Sequence, residues 1–343
     1  MKLKRIGVDL AKNVFQCHGV DGTGKTIWKR RLTRNKWLSA ICEVADRDCE
    51  IGMEACGGAH HWARVLQGKG YTVKLIPPQF VKPYVKSNKN DANDADAICE
   101  AMSRPGMRFV AVKTIDQQDM QALHRVRASA IQQRTALTNR LRGLVSEYGL
   151  VAPQSLIALK RAIPDWLEEA DNGLTDRFRG LLYRLWQDLQ QLHTQITELD
   201  KEIETLARSN PVTQQLQQLR GVGPLIATAL VATVGTGSQY RNGKQMAAGL
   251  GLTPRQHSSG NKDRLLGISK RGDAYLRTIL IHGARAVVSQ AKHRDDYLSQ
   301  WVTDIAKRKH PNVAAVALAN KTARMAWAML QSGEDYNPAY ATA

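Results

Sequence analysis

Carboxylates are the scarce charged groups in this chain. Only 31 Asp and Glu stand against 49 Lys and Arg, leaving a formal net charge of +18 over 343 residues. A polyanion is the natural partner of such an excess, although net charge says nothing about fold. The shortage is uneven. Residues 1–105 carry 18 basic against 11 acidic residues, 106–210 carry 14 against 13, and 211–343 carry 17 against 7. The two ends are therefore expected to meet the polyanion, and the near-neutral middle to do something else. Cysteine is sparse as well: Cys17, Cys42, Cys49, Cys56 and Cys99 are all there are. None forms a C-x-x-C pair, which argues against a zinc site. An odd number without an evident signal peptide fits a reducing cytosol. Long apolar runs are also lacking. The opening MKLKRIGVDLAKN has no extended apolar core, and the longest apolar stretch, near Leu225–Val234, is too short to span a bilayer. No membrane partner is expected. Hydrophobic residues still make up 43%, enough for a real core rather than a disordered chain.

The first hundred residues read as alternating α/β structure. Ile6, Val8 and Leu10 alternate as a half-buried strand should. Val14–Val20 is a second run, Asp21-Gly22-Thr23-Gly24 a turn, and Thr26–Leu32 a third run. A helix over 36–45, a short strand Cys49–Met53, a helix over 59–67, a strand Tyr71–Ile76 and a helix over 94–103 follow. Arg104-Pro105-Gly106 closes the unit. The order β-β-β-α-β-α-β-α predicts a ribonuclease-H-like α/β domain at 1–105.

The middle, 106–210, reads as a helical stalk. Phe178, Leu182, Leu185, Leu189, Leu192, Ile196, Leu199, Ile203 and Leu206 follow one another in alternating steps of four and three, the seam of a coiled coil. A helix around Met120–Tyr148, with Leu137, Leu141 and Leu144, is a candidate antiparallel partner. The seam alone does not decide between a hairpin within the chain and a dimerisation stalk. Asn210-Pro211 ends it. Residues 211–343 form a mainly helical C-terminal domain. There Leu216-x-x-Leu219-x-Gly221-Val222-Gly223 has the pattern of a helix-hairpin-helix, whose exposed N–H groups can hold a phosphate.

Two constellations carry chemistry. Asp9 lies near the end of the first strand, Glu54 follows the Cys49–Met53 strand, and Asp91 and Asp94 stand three apart on one helical face. Taken singly, each has an ordinary role: a turn carboxylate, a solvated strand end, a helix cap. Asp96 is an alternative to Asp94. Four carboxylates brought together repel unless cations sit among them, and Mg²⁺ or Mn²⁺ takes such oxygen ligands. The second constellation runs from Gly249-Leu250-Gly251-Leu252-Thr253-Pro254-Arg255 through Ser258-Ser259-Gly260-Asn261-Lys262 and Arg264 to Ser269-Lys270-Arg271-Gly272-Asp273 and Arg277. A serine ringed by cations suits attack on a phosphodiester. The plainer alternative is a serine-rich turn whose Arg255, Lys262, Arg264, Lys270, Arg271 and Arg277 only grip the DNA backbone.

Gly7-Val8-Asp9-Leu10-Ala11-Lys12, the Glu54 segment and Asn90-Asp91-Ala92-Asn93-Asp94-Ala95 resemble the DEDD domain of insertion-sequence 110 family transposases. Leu219-Arg220-Gly221-Val222-Gly223-Pro224, Ser259-Gly260 and Ser269-Lys270-Arg271-Gly272 resemble that family's C-terminal domain. The likeness covers nearly the whole chain. Asn90 departs from the commonest form, in which Thr follows the lysine. The resemblance implies a DNA recombinase that cuts and rejoins strands of an insertion sequence. Asp9, Glu54, Asp91 and Asp94 would bind Mg²⁺ within a RuvC-like fold. Ser259, which directly precedes a glycine, would be the nucleophile, and a structured RNA from the same element would choose donor and target DNA. A homo-oligomer, dimer or tetramer, and a cytoplasmic, nucleoid-associated location go with that reading. The alternatives are a RuvC-like nuclease or junction resolvase needing only carboxylates and water, an architectural nucleic-acid binder needing neither constellation, and a sugar-kinase-like ATPase sharing the strand order.

Overall fold

The computed structural model describes residues 2–85, 91–259 and 264–338, without the side chains of residues 91 and 92. The chain divides into two compact units, Met1–Thr114 and Ile115–Ala343.

In the first unit, β1 (Arg5–Leu10), β2 (Val14–Val20) and β3 (Thr26–Thr33) form an antiparallel meander. It is followed by α1 (Trp37–Val44), β4 (Glu50–Glu54), α2 (Ala59–Gly68) and β5 (Thr72–Ile76). Next come α3 (Pro78–Val81), a 3-10 turn at Lys82–Tyr84, and α4 (Asp91–Met102). The sheet order is β3-β2-β1-β4-β5, with β4 parallel to β1 and β5 parallel to β4. Each parallel step needs a crossover helix, which α1 and α2 supply. The turn after β2 is closed by Asp21, whose carboxylate accepts from the backbone N–H groups of Thr23 and Lys25. One face of the sheet buries Phe15, Trp37, Ile41, Ala63 and Leu66; Trp37, Phe15 and Trp62 meet edge to face at 4.9 to 5.7 Å. Such pairs add about 1 kcal/mol each beyond burial. The unit runs past residue 105 because Val110 adds a bridge to the β5 edge, its N–H donating to Leu75 O at 2.8 Å. Arg64 then holds the Lys113 carbonyl at 2.7 Å.

Among the described residues, the second unit is helical apart from one ribbon. It contains α5 (Ile115–Ser146), α6 (Leu156–Glu168), α7 (Asp176–Ser209), α8 (Pro211–Leu216), α9 (Pro224–Val234) and α10 (Gly243–Gly249). The ribbon is β6 (Pro254–Gln256) paired antiparallel with β7 (Leu265–Ile268). It is followed by α11 (Ala274–Gln290), α12 (Tyr297–Arg308) and α13 (Pro311–Ser332). The apolar α9 is the centre of the core: Ile226, Ala227, Ala229, Leu230 and Val234 are buried, and α5, α7, α8 and α11 pack around it. Among the described residues no helix is long and apolar enough to cross a membrane.

The helices expected as a stalk share this unit with the C-terminal helices. The heptad seam of α7 packs on α5 of the same chain, and Arg127 of α5 pairs with Asp200 of α7. Its two rows differ. Leu182, Leu189, Ile196 and Ile203 are buried, whereas Leu185, Leu192, Leu199 and Leu206 are only half-buried.

Candidate active site

Two glycines place the carboxylates. A Cβ on Gly7 would collide with the Ala95 carbonyl of α4 and come within 2.7 Å of the Cys99 amide nitrogen. A Cβ on Gly52 would run into the Met102 thioether. Both positions therefore face α4, and only glycine lets the helix lie so close to β1 and β4. Side chains two apart on a strand share a face. Asp9, two beyond Gly7, and Glu54, two beyond Gly52, thus leave the sheet on the α4 side. Their strands are neighbours in register, Val8 opposite Met53. Arg5 O receives the Cys99 thiol and Gly7 meets Ala95, so α4 runs antiparallel to β1, and its first turn lies toward the Asp9 end. Asp94 is in that turn.

Electrostatics agree with this placement. The Glu54 carboxyl is pushed above the usual carboxylate range, first by burial and then by the charge of Asp94. The Cys56 thiol is pushed up by burial and then by the charges of Glu54 and Asp9. Asp9, Glu54, Cys56 and Asp94 therefore share one neighbourhood. Cys56 escaped the sequence reading; its place two residues beyond Glu54 was the available signal. Asp96 lies elsewhere on α4 and pairs with His18 of β2 at 3.4 Å, which favours Asp94 over it as a member of the cluster. The backbone of Asp91 opens α4, but its side chain lies outside the described residues. Among the described residues no three His, Cys, Asp or Glu side chains are drawn tightly enough to form a ready-made metal centre. The donor set still fits a hard divalent cation. Its members are carboxylates, and the Asp94 charge that adds to burial in raising Glu54 is a repulsion that a cation would relieve.

The serine segment lies at the far end of the ribbon. Gln256 pairs with Leu265, and His257 N donates to Arg264 O at 2.9 Å. Ser258 and Ser259 follow, both exposed. Ser258 Oγ accepts from Gln256 Nε2 at 3.0 Å. The ribbon's base is a crossing of two glycine segments. Gly251 (φ +72°) has no room for a Cβ against the Arg271 backbone, nor Gly272 (φ +75°) against the Gly249 carbonyl. Lys270 is itself left-handed, φ +55°. Gly251 and Gly272 are thus explained by backbone contact.

Arg255, Arg264, Lys270 and Arg271 are exposed on and beside this ribbon. Lys262 lies outside the described residues. Arg277 does not belong with them, contrary to expectation. It is 8% exposed, and its Nη1 donates to the carbonyls of Leu250 at 3.1 Å and Arg271 at 2.9 Å. Helical spacing turns it inward, where it ties the ribbon's base to α11. The Gly221–Gly223 turn joins α8 to α9. Gly221 (φ +80°) abuts the backbone of Gly283 in α11, and Gly223 is exposed at the α9 N-terminus. His124 is a core group. It is buried between Tyr275 Oη (3.0 Å) and Thr228 Oγ1 (2.9 Å), and burial lowers its pKa to about 4.

A five-stranded sheet of this order, with carboxylates at the ends of two central strands, has the arrangement of a ribonuclease-H-like nucleic-acid enzyme. Comparison with known proteins takes the assignment to a family. Residues 6–150 match the DEDD transposase family of the IS110 type, and residues 213–299 match the transposase IS116/IS110/IS902 family. The chain is 47% identical over 339 residues to a probable family 20 transposase of Pseudomonas aeruginosa, covering 98% of this chain and 100% of that one. It is 46% identical to the transposase for insertion sequence element IS1111A of Coxiella burnetii, covering 97% of this chain and 91% of the relative. It is 40% identical to the transposase for insertion sequence element IS1328 of Yersinia enterocolitica, covering 96% and 97%. The chain belongs to the IS110 family of transposases, enzymes that cut and rejoin DNA. Family membership implies a ribonuclease-H-like fold for the first unit, and DEDD transposases commonly use divalent metal ions.

Proposed function

We propose that this transposase works by metal-assisted transesterification, with Ser259 as the nucleophile. The observation that carries the reading is the convergence of Asp9, Glu54 and Asp94 on one side of the β1–β4 edge, where burial, and then the charge of Asp94, push the Glu54 carboxyl up. Asp91 is proposed as the fourth member. These carboxylates would hold Mg²⁺ or Mn²⁺, which when bound supplies Lewis-acid stabilisation of phosphate oxygens. The chain's own residues do the rest. Ser259 Oγ attacks a DNA phosphorus, a DNA hydroxyl leaves, and the resulting phosphoserine ester keeps the energy that hydrolysis would discard. Reattack by a DNA hydroxyl then rejoins the strand and restores the serine. Arg255, Lys262, Arg264, Lys270 and Arg271 neutralise backbone phosphates, and the α9 N-terminus behind Gly223 offers N–H groups to another. Resemblance to the family supports a guide RNA from the same element as the source of site choice. Assembly into a homo-oligomer is proposed through the half-buried row Leu185, Leu192, Leu199 and Leu206, because joining ends requires several strands to be held together.

The test is to quench the reaction with denaturant and search for a protein–DNA adduct by mass spectrometry. An adduct on Ser259, absent from Ser259→Ala, is expected. Asp9→Asn should lower adduct formation by about 10³-fold or more while DNA binding survives. Recombination by Ser259→Ala at the wild-type rate, with Asp9 still essential, would move the assignment to a nuclease using carboxylates and water.

A further inference from the structure

The β6–β7 ribbon carries apolar side chains where a solvent-facing ribbon has no packing use for them. Leu265 is 67% exposed and Leu266 is 37% exposed. Consecutive strand residues leave by opposite faces. Leu265 therefore leaves by the more open face of the ribbon, and Leu266, much less exposed, by the other. Isolated exposed leucines need no explanation, but this pair sits at a special place. Leu265 is the register partner of Gln256, and Gln256 is three residues before Ser259. The leucines and the serine thus share one end of the ribbon.

The surroundings identify the occupant. The strands Pro254–Gln256 and Leu265–Ile268 contain no carboxylate. Arg255, Arg264, Lys270 and Arg271 are exposed around them. The one described carboxylate nearby, Asp273, is turned to the α11 N-terminus, where it accepts from Leu276 N at 2.9 Å. A two-stranded ribbon is of a size that enters a DNA groove. Cations placed along it would hold the phosphates on either side. Apolar tips held there by cations are the means by which DNA-bending proteins part a base step, since leucine can replace the stacking contact that water cannot.

We propose that Leu265 is a wedge that enters a base step of duplex DNA beside the phosphate presented to Ser259, unstacking that step. The proposal rests on the reading of the ribbon as a DNA contact. Its use is direct. An unstacked step lets the backbone swing out toward the hydroxyl, and strand exchange requires the bases at the crossover to separate in any case.

The experiment places 2-aminopurine, whose fluorescence rises on unstacking, at successive steps of a duplex spanning the element end. Full-length protein is added together with the structured RNA of the same element, with binding read separately by anisotropy across a salt series. A rise of several-fold confined to one or two steps is expected for the wild type. Leu265→Ala should remove most of that rise while binding weakens by about threefold or less, and Leu265→Phe should restore it. Leu266→Ala, on the opposite face of the strand, should leave it unchanged. Tight, salt-sensitive binding without a rise, or a rise unchanged in Leu265→Ala, overturns the wedge and leaves the DNA-contact reading intact. Weak binding with a flat salt response overturns both. If Leu265→Ala instead changes the mass of the free particle by light scattering and leaves unstacking untouched, the leucine covers a second copy of the chain and the wedge is overturned.

Discussion

Asp9 and Glu54 stand at the ends of buried strands, whereas Ser259 stands at the end of a ribbon whose strands are exposed. The first pair is fixed by the sheet register and by two glycines that admit α4. The serine stands on a ribbon anchored at its base by the Gly249–Gly251 and Arg271–Gly272 crossing and by Arg277 beneath it. The difference suits the two roles. A set of like charges must be held against its own repulsion, so it needs a rigid frame. In the proposed mechanism, a nucleophile that is esterified to DNA and then released would gain from standing clear of the core. Damage to the frame should accordingly be costly in stability and activity together, and damage to the ribbon should separate the two.

The largest effect is expected at Gly7. Alanine there puts a methyl group into the Ala95 carbonyl, so α4 must move as a whole. Overpacking against backbone should cost about 3 kcal/mol in urea unfolding of the first unit. A shift of α4 also carries Asp94 away from Asp9 and Glu54, and misplacement of that kind costs about 10²-fold in rate. Gly22→Ala is the control: nothing lies within 4 Å of its Cβ, and stability should stay within about 0.5 kcal/mol. A Gly7→Ala protein as stable and active as the control would refute the idea that this contact sets the cluster.

What was legible in the sequence follows the same division. In the first unit the strands announced themselves by alternating apolar residues such as Ile6, Val8 and Leu10 and by the Asp21–Gly24 turn. Asp9 and Glu54 were locatable as strand ends for that reason. The ribbon was not legible. Pro254–Gln256 and Leu265–Ile268 are short and lie outside the core, so no burial period marks them. α6 was missed as well, and Pro164 inside it blurs the helical pattern. The seam of α7 was plain, yet its partner α5 was a choice among candidates, since heptads record an apolar stripe and not what covers it. Arg277 was misread because it sits in a basic run. Only the phase of α11 shows that it points inward.

A second way to probe the comparison uses pH, because the helical unit contains a group that the first unit's cluster lacks: a neutral buried imidazole. His124 has its pKa lowered to about 4 by burial and then by Arg127. Its unfolded value is near 6.5. Between those values the unfolded chain binds the proton and the folded chain does not, so stability falls as pH falls. The stabilising contribution is complete above about 6.5 and is lost on acidification toward about 4, a change of about 3 kcal/mol. His124→Gln keeps a donor and an acceptor for Tyr275 and Thr228 but does not titrate. Urea unfolding of the second unit at pH 7.5 and 4.5 should show the variant losing less stability on acidification than the wild type. Equal losses would mean that His124 is not held neutral.

The smallest expected effects fall within the ribbon, and they distinguish two arginines that look alike in sequence. Arg277→Met keeps the aliphatic stem but leaves the Leu250 and Arg271 carbonyls without their donor. Unpaired buried acceptors cost about 2 kcal/mol, so unfolding should shift by that amount. The dependence of DNA affinity on salt should not change, because a buried guanidinium releases no counterion from DNA. Arg255→Ala should do the reverse. Its side chain is exposed, and stability should stay within about 0.5 kcal/mol. The log–log salt slope should fall by about 0.9, the value expected when one DNA phosphate is no longer neutralised by the protein. The two measurements cross-check each other. If Arg277→Met flattened the salt slope while leaving stability alone, the base of the ribbon would be a DNA contact, and the distinction between a frame that holds and a ribbon that touches would fail at that residue.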